Sequence, residues 1–400
     1  MMQKLLEIHE MTVSKKQRKI KRYLYDMINW DLKAICIFGA RGTGKTTLMV
    51  QHYYEKYGTS EKALYISADH VFVVSYGLYE IADTFFKNGG ETLYIDEIHT
   101  YPDWTVELKN IIDVYSDRQV IVSGSSTIEL KKSKSDLSRR VVYYELKGFS
   151  FREFLNFGSG GKFNACSLNE ILENHREISL HIKEGRSILK EFRNYLEYGY
   201  YPFFLEGKDE YFSRLGNVVE KVIFEDIAAS FNLSQPKLPV IKKLLWLIAT
   251  SEPFTPNVDR ISKDLGISRE YVYNYIEYLE RAGFVINVRK KGDGFRSIRK
   301  PAKIFMQNTG LIKVLSEKTY ERNAGAMRET FFANQLGTLF ELTIPEKGDF
   351  IVDGRYLFEI GGKNKNSDQI KGISNSFLAL DEIETGFKNT IPLYMFGFLY

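Results

Sequence analysis

The stretch Gly39–Thr46, "GARGTGKT", constrains this chain more than any other. An apolar run, "KAICIF", precedes it, and a helical pattern, "TTLMVQHYYEKY", follows. Glycines between a buried strand and a helix let successive backbone N–H groups turn inward onto phosphate oxygens. The helix N-terminus aims its dipole at the same anion. The spacing G-x-x-x-x-G-K-[ST] therefore assigns Gly39, Ala40, Arg41, Gly42, Thr43, Gly44, Lys45, Thr46 and Thr47 to the wall around the phosphates of ATP. Lys45 would reach the β- and γ-phosphates, and the Thr46 hydroxyl would ligate Mg²⁺. The competing reading is a chance glycine-rich turn, and the flanking strand and helix argue against it.

A second mark is "ETLYIDEIH", Glu91–His99. Thr92–Ile95 reads as a buried strand ending in Asp96-Glu97. The aspartate suits Mg²⁺ held through water, and the glutamate suits a general base on an attacking water. Further strands are expected at "ICIF", "ALYIS", "QVIVSG" and "VVYYEL", with helices between most of them. Such alternation gives an α/β, doubly wound parallel sheet with nucleotide at the carboxyl ends of its strands. Ser123 or Ser125, at the end of the fourth strand, would hydrogen-bond the γ-phosphate or the water; a plain strand exit is the alternative for either. Arg139 and Arg140 precede the fifth strand. One of them would act as a finger on a neighbouring subunit's γ-phosphate, or both are solvated charges. Trp104 is expected to pack a helix onto the sheet.

With these residues in hand, the chain resembles the bacterial and archaeal AAA-type P-loop ATPases that carry a C-terminal domain of unknown function. The motifs behind this are "GARGTGKTT", "YIDEIHTYPDW", "VSGSS", "LSRR" before "LKGFSFREFL", "YGYYP" and the closing "IPLYMFGFLY". The resemblance implies a P-loop NTPase (AAA+-type) core and an ATPase often suspected of nucleic-acid work. The family usually shows Gly-Arg before its fifth strand. Here Arg139-Arg140 stands there, with Arg140 in the family's arginine position.

The 400 residues allow two or three domains, and the net charge of +4 decides little. Cys36 and Cys166 form neither a disulfide framework nor a zinc site; Cys36 sits in a strand and is expected to be buried. The N-terminus lacks a signal-peptide core and no uncharged run spans a bilayer, so a cytoplasmic protein without membrane contact is expected. The expected organisation is a helical segment over 1–25, the ATPase core over 26–157 and a helical connector over 158–235. A winged helix-turn-helix over 236–302 and a restriction-endonuclease-like α/β domain over 303–400 follow.

In the fourth part, Val272, Ile276 and Leu279 line one face of a helix that Ser268 caps. The same helix shows Glu270, Glu277 and Glu280 outward, which phosphate would repel. The hairpin beyond it carries Arg289, Lys290, Lys291, Arg296, Arg299 and Lys300, which phosphate would attract, so DNA is a candidate partner. In the fifth part, Glu329 on a helix and Asp349 and Glu359 on a hairpin are laid out as in metal nucleases. A three-residue loop, Val352 to Gly354, would put both hairpin acids on one face, opposite Phe350, Phe358 and Ile360. Gly361 stands where a catalytic lysine is expected, and Lys363 would have to substitute. The functional expectation is an Mg²⁺-dependent ATPase that moves this C-terminal half on or near DNA, as a possible homo-oligomer. The alternatives are a nucleotide-dependent switch or scaffold with little turnover, and an ATP-gated DNA nuclease.

Overall fold

Five apolar runs in the first 147 residues form strands: β1 Ala34–Phe38, β2 Ala63–Ser67, β3 Thr92–Asp96, β4 Gln119–Gly124 and β5 Val142–Glu145. The computed structural model describes residues 2–14, 20–124, 137, 139–251, 255–290, 302–316 and 320–400, with the backbone alone at 320–322. The chain divides into two units, Met1–Lys147 and Gly148–Tyr400. Residues 148–157, expected to close the ATPase core, thus open the second unit.

In the first unit the strand order is β2-β3-β4-β1-β5, and every pair is parallel. Parallel strands need crossovers, which the helices Lys45–Tyr57, Leu78–Lys87 and Trp104–Val114 supply. Both faces of the sheet are covered, so β1, β3 and β4 are buried along their whole length. Ala34, Cys36 and Phe38 face a core that includes Leu78, Trp104 and Leu108. Ile35 and Ile37 face the other, with Leu48, Met49, Tyr65 and Tyr94. The helix Met2–Val13 lies against the free side of β2, where the N–H of Tyr65 donates to Nδ1 of the buried His9 at 2.9 Å. That contact gives an edge-strand N–H a partner within the chain.

The second unit begins with helices and ends in a sheet. Helices Leu238–Thr250, Val258–Leu265 and Arg269–Arg281 lead into β6 Val285–Lys290, which pairs antiparallel with β7 Lys303–Met306. After the helix Tyr320–Gly337 come β8 Leu342–Ile344, β9 Phe350–Val352, β10 Tyr356–Gly361, β11 Ser376–Leu380 and β12 Thr390–Pro392. One seven-stranded sheet runs β12-β11-β10-β9-β8-β6-β7. The β6–β7 hairpin is thus continuous with the last strands, across the 302/303 boundary expected from sequence. Among the described residues no helix is long and apolar enough to cross a membrane.

Two distant sequence motifs meet in this unit. Ser150 caps the helix Phe151–Gly158 in a capping box with Glu153. Its hydroxyl also donates to the Tyr400 carbonyl at 2.7 Å, and Arg152 Nε donates to the same oxygen at 2.9 Å. A Cβ at Gly397 would fall on Phe151. The Phe151 ring packs against Phe192, Tyr195 and Phe398, with centroids 5.2, 5.5 and 5.8 Å away. "FSFREFL" and "IPLYMFGFLY" are therefore two halves of one aromatic core.

Because Ser150 is fully buried and serves both contacts, Ser150→Ala should cost about 1–2 kcal/mol. Chemical denaturation should show a lower midpoint for the unit containing it.

Candidate functional site

The loop after β1 turns at Gly39, where a Cβ would fall on the Leu146 carbonyl, and its left-handed positions are Gly42 (φ 83°) and Gly44 (φ 97°). Gly44 precedes the helix Lys45–Tyr57 and makes no side-chain cap, so the first-turn N–H groups have no cap from it. Thr43 is buried and its hydroxyl donates to the Ala40 carbonyl at 2.9 Å. Lys45 is 4% exposed, and its ammonium donates to the Gly39 and Ala40 carbonyls at 3.0 and 2.9 Å. Arg41 and Thr47 are partly buried on either side, and Gly42 is exposed at the tip. The structure thus brings all nine residues of the expected wall into one strand-to-helix turn.

Asp96 ends β3 and is 3% exposed. Its Oδ2 accepts from the Thr46 hydroxyl at 2.6 Å and from the Tyr65 phenol at 2.5 Å. Its Oδ1 accepts from the Ser123 hydroxyl and, at 3.1 Å, from the Glu97 N–H. The Glu97 N–H also reaches Ser123 Oγ at 3.3 Å. Burial and the charge of Asp96 push the Tyr65 phenol far above its ordinary pKa, so it stays a donor. Glu97 itself is left-handed, at φ 52° and ψ 37°, a conformation in which a non-glycine residue is strained. His99 Nε2 lies 3.7 Å from Glu97 Oε2.

Ser123 therefore orients Asp96 and the Glu97 backbone; Ser125 lies outside the described residues. Arg140 forks onto Asp113 of its own chain, Nε to Oδ1 at 2.6 Å and NH2 to Oδ2 at 3.0 Å, while Arg139 is exposed. Sequence reasoning missed Arg22, Tyr65 and His99. Arg22 is buried, with one NH donating to the Thr43 carbonyl of the loop and the other to the Lys147 carbonyl at 2.8 Å.

These residues match what Mg²⁺–ATP requires of a protein. Mg²⁺ keeps several waters and takes one or two carboxylates with substrate phosphates, and the side-chain oxygens of Thr46, in the first turn of the loop helix, and Asp96, at the end of β3, lie together. The loop leads into the N-terminus of the helix Lys45–Tyr57, with the Lys45 ammonium beside it.

In the second unit, Arg289 and Lys290 are exposed at the end of β6; Lys291, Arg296, Arg299 and Lys300 lie outside the described residues. Glu329, Asp349 and Glu359 do share a cluster, but each faces an ammonium group. Lys303 Nζ is 3.1 Å from Glu329 and 3.7 Å from Asp349, and Lys365 Nζ is 2.5 Å from Glu359. Among the described residues no group of three His, Cys, Asp or Glu side chains is arranged to hold a metal ion. The expected substitute, Lys363, is exposed. Lys365 is the lysine that reaches Glu359, because a turn from Gly362 folds it back over Gly361, where a Cβ would meet its Cβ at 2.5 Å. The hairpin loop also differs. Val352 pairs with Tyr356, so the loop is Asp353–Arg355 rather than Val352–Gly354.

Residues 31–155 match the family described as "AAA domain", and residues 189–322 match "Domain of unknown function (DUF8612)". The first match supports a P-loop ATPase, and with it nucleotide binding and hydrolysis in general. Two curated proteins of Methanocaldococcus jannaschii are similar, "Uncharacterized protein MJ1637" and "Uncharacterized protein MJ1544". The first is 27% identical over 73% of this chain and 66% of its own length. The second is 23% identical over 62% of this chain and 54% of its own length. The chain thus spans less than two thirds of either relative. Among solved structures, AMPPCP-bound DnaA from Aquifex aeolicus is 13% identical, covering 69% of this chain and 88% of that one, with a TM-score of 0.26.

The buried carboxylate cluster has a pH signature. Burial lifts the Glu329 carboxyl to about 7; Lys303 opposes the shift, and Asp349 and Glu359 add to it. A carboxyl raised in the folded state contributes stability below its unfolded value of 4.5, and that contribution is lost as pH rises through about 7. Glu329→Gln lacks this slope. Its thermal midpoint, measured against the parent, should therefore rise from about pH 4.5 to about pH 7 and level off above that.

Proposed function

We propose that this chain is an Mg²⁺-dependent ATP hydrolase whose nucleotide state changes the conformation of its C-terminal half. The supporting observation is the convergence of Thr46, Asp96, Ser123 and Glu97, from the loop helix and two strand ends, beside the glycine-rich turn. In this reading the N–H groups of the loop and the Lys45 ammonium bind the phosphates. Bound Mg²⁺, held by Thr46 and through water by Asp96, would neutralise charge developing on the β- and γ-oxygens. The Glu97 carboxylate takes a proton from the attacking water as its oxygen bonds to the γ-phosphorus; ADP and phosphate leave. The left-handed backbone at Glu97, held by the acceptors on its N–H, fixes where that carboxylate starts.

The finer parts of the proposal are a cytoplasmic protein, possible homo-oligomers, and action on or near DNA. The DNA reading rests on the three-helix and hairpin order over 238–306 and on Arg289 and Lys290 at the hairpin's start. A second reading, a switch with little turnover, is favoured by Arg140, whose fork is closed on Asp113 within the same chain. An ATP-gated nuclease is supported only by the reach of Lys365 to Glu359, against carboxylates already facing ammonium groups.

Lys45→Ala should abolish ATP binding in a fluorescence titration. Glu97→Gln should keep binding and lose about 10²–10⁴-fold in kcat. If both variants hydrolyse ATP like the parent, the ATPase reading falls. Were three or four hairpin cations to meet phosphates, DNA affinity should drop roughly a hundredfold between 50 and 200 mM salt; a flat salt series removes the DNA reading.

A further inference from the structure

Tyr65 belongs to none of the sequence motifs, yet its phenol touches the carboxylate on which the proposed metal site depends. It lies on β2, is 3% exposed, and donates to Asp96 Oδ2 at 2.5 Å. That is the oxygen to which Thr46 Oγ1 donates at 2.6 Å. Thr46 has one hydroxyl hydrogen and gives it to Asp96, so the lone pairs of Oγ1 are what it can offer a metal. With Tyr65 on the same carboxylate oxygen, and Ser123 and the Glu97 N–H on the other, Asp96 is held in one orientation.

Tyr65 is itself fixed from both sides. Its N–H is bound to His9 Nδ1 at 2.9 Å, and its strand is in register with β3, with Tyr65 opposite Tyr94 and Ser67 opposite Asp96. In a parallel pair, residues in register point to the same face, and residues two apart share it. The phenol and the carboxylate are thus placed by the sheet, on the face covered by the helix that starts at Lys45.

We propose that Tyr65 is a positioning residue that sets Mg²⁺ affinity at the Thr46–Asp96 pair by orienting Asp96. This rests on the metal-dependent ATPase reading above. Partners that orient metal-site ligands from outside typically contribute 10–100-fold in metal affinity. Tyr65→Phe should therefore raise the Mg²⁺ concentration for half-maximal hydrolysis by about 10-fold or more, with kcat at saturating Mg²⁺ little changed.

The test that does not use turnover is a titration with a fluorescent ATP analogue. In EDTA, Tyr65→Phe should bind it like the parent; the gain in affinity on adding Mg²⁺ should need about 10-fold more metal. Tyr94→Phe is the control. It removes a buried hydroxyl from the neighbouring strand, one bonded to His52 at 2.7 Å and not to Asp96. Its Mg²⁺ curve should match the parent's even where its thermal midpoint falls. If Thr46→Ala removes the Mg²⁺ gain while the Tyr65→Phe curve superimposes on the parent's, the positioning role is overturned and the metal site stands. A shift in Tyr94→Phe equal to that in Tyr65→Phe also overturns it. If the parent shows no Mg²⁺ gain at all, both readings fall together.

Discussion

A carboxylate 3% exposed to solvent holds the first unit's architecture to account. Burying a carboxylate is costly unless hydrogen bonds replace its water. Among the described residues, Asp96 draws its replacements from four places: Tyr65 on β2, the Glu97 N–H just past β3, Ser123 on β4, and Thr46 on the helix after β1. This works only with the observed strand order. β4 lies between β3 and β1, and its pairing of Ile95 with Val122 carries Ser123 alongside Asp96. On its other side Ser123 is in register with Ile37, two residues before the glycine-rich turn. A single-residue slip in any of these ladders would turn a donor onto the opposite face.

Left-handed backbone occurs at the positions around that carboxylate where chemistry is proposed. Gly42 and Gly44 take left-handed geometry without penalty, and Gly39 lets the Leu146 carbonyl approach. Glu97 takes it with a side chain, a cost of order 1–3 kcal/mol that the two acceptors on its N–H help to offset. A helix or strand continuation at residue 97 would have been cheaper locally. The turn that replaces it begins with Thr100 donating its N–H back to the Glu97 carbonyl at 3.0 Å.

What the sequence made legible follows from the reach of each signal. The phosphate loop, the five strands and the buried Cys36 are local or periodic features, and a linear pattern suffices for them. Arg22 was hidden because it ends a basic run that reads as surface, and its carbonyl partners at Thr43 and Lys147 are far along the chain. Tyr65 was hidden because a tyrosine in "ALYIS" is ordinary strand composition. The β9–β10 hairpin shows the limit of alternation most clearly. Hydrophobic period fixes which face a residue takes but not which residue it opposes, so a shift of two leaves the faces unchanged. Asp349 and Glu359 converge as the pattern demanded, while Asp353 (φ 49°) joins Gly354 (φ 65°) in left-handed geometry and moves the loop. Lys365 required knowing how the chain doubles back at Gly362, which no periodicity encodes.

The two acidic centres differ in the charge of their partners, and that difference decides what each can hold. Among the described residues, every donor to Asp96 is neutral: three hydroxyls and one backbone N–H. They orient the carboxylate without bringing a positive charge to it. In the second unit the carboxylates meet Lys303 and Lys365 instead. Glu329, lifted to about 7, can also shed its charge by taking a proton. Asp349 Oδ2 is further occupied by the Ile360 N–H at 2.8 Å. A divalent ion entering there would have to displace an ammonium group already in contact with two carboxylates, against the Coulomb attraction that holds it. The exception is Glu359 Oε2, which is buried without a hydrogen-bond partner among the described residues. It keeps that cluster from being fully balanced, but one open oxygen is far less than the set of free ligands a hard cation takes. The second cluster is thus the less suited of the two to a divalent ion, and it is the more stable where its protons and ammonium groups are retained.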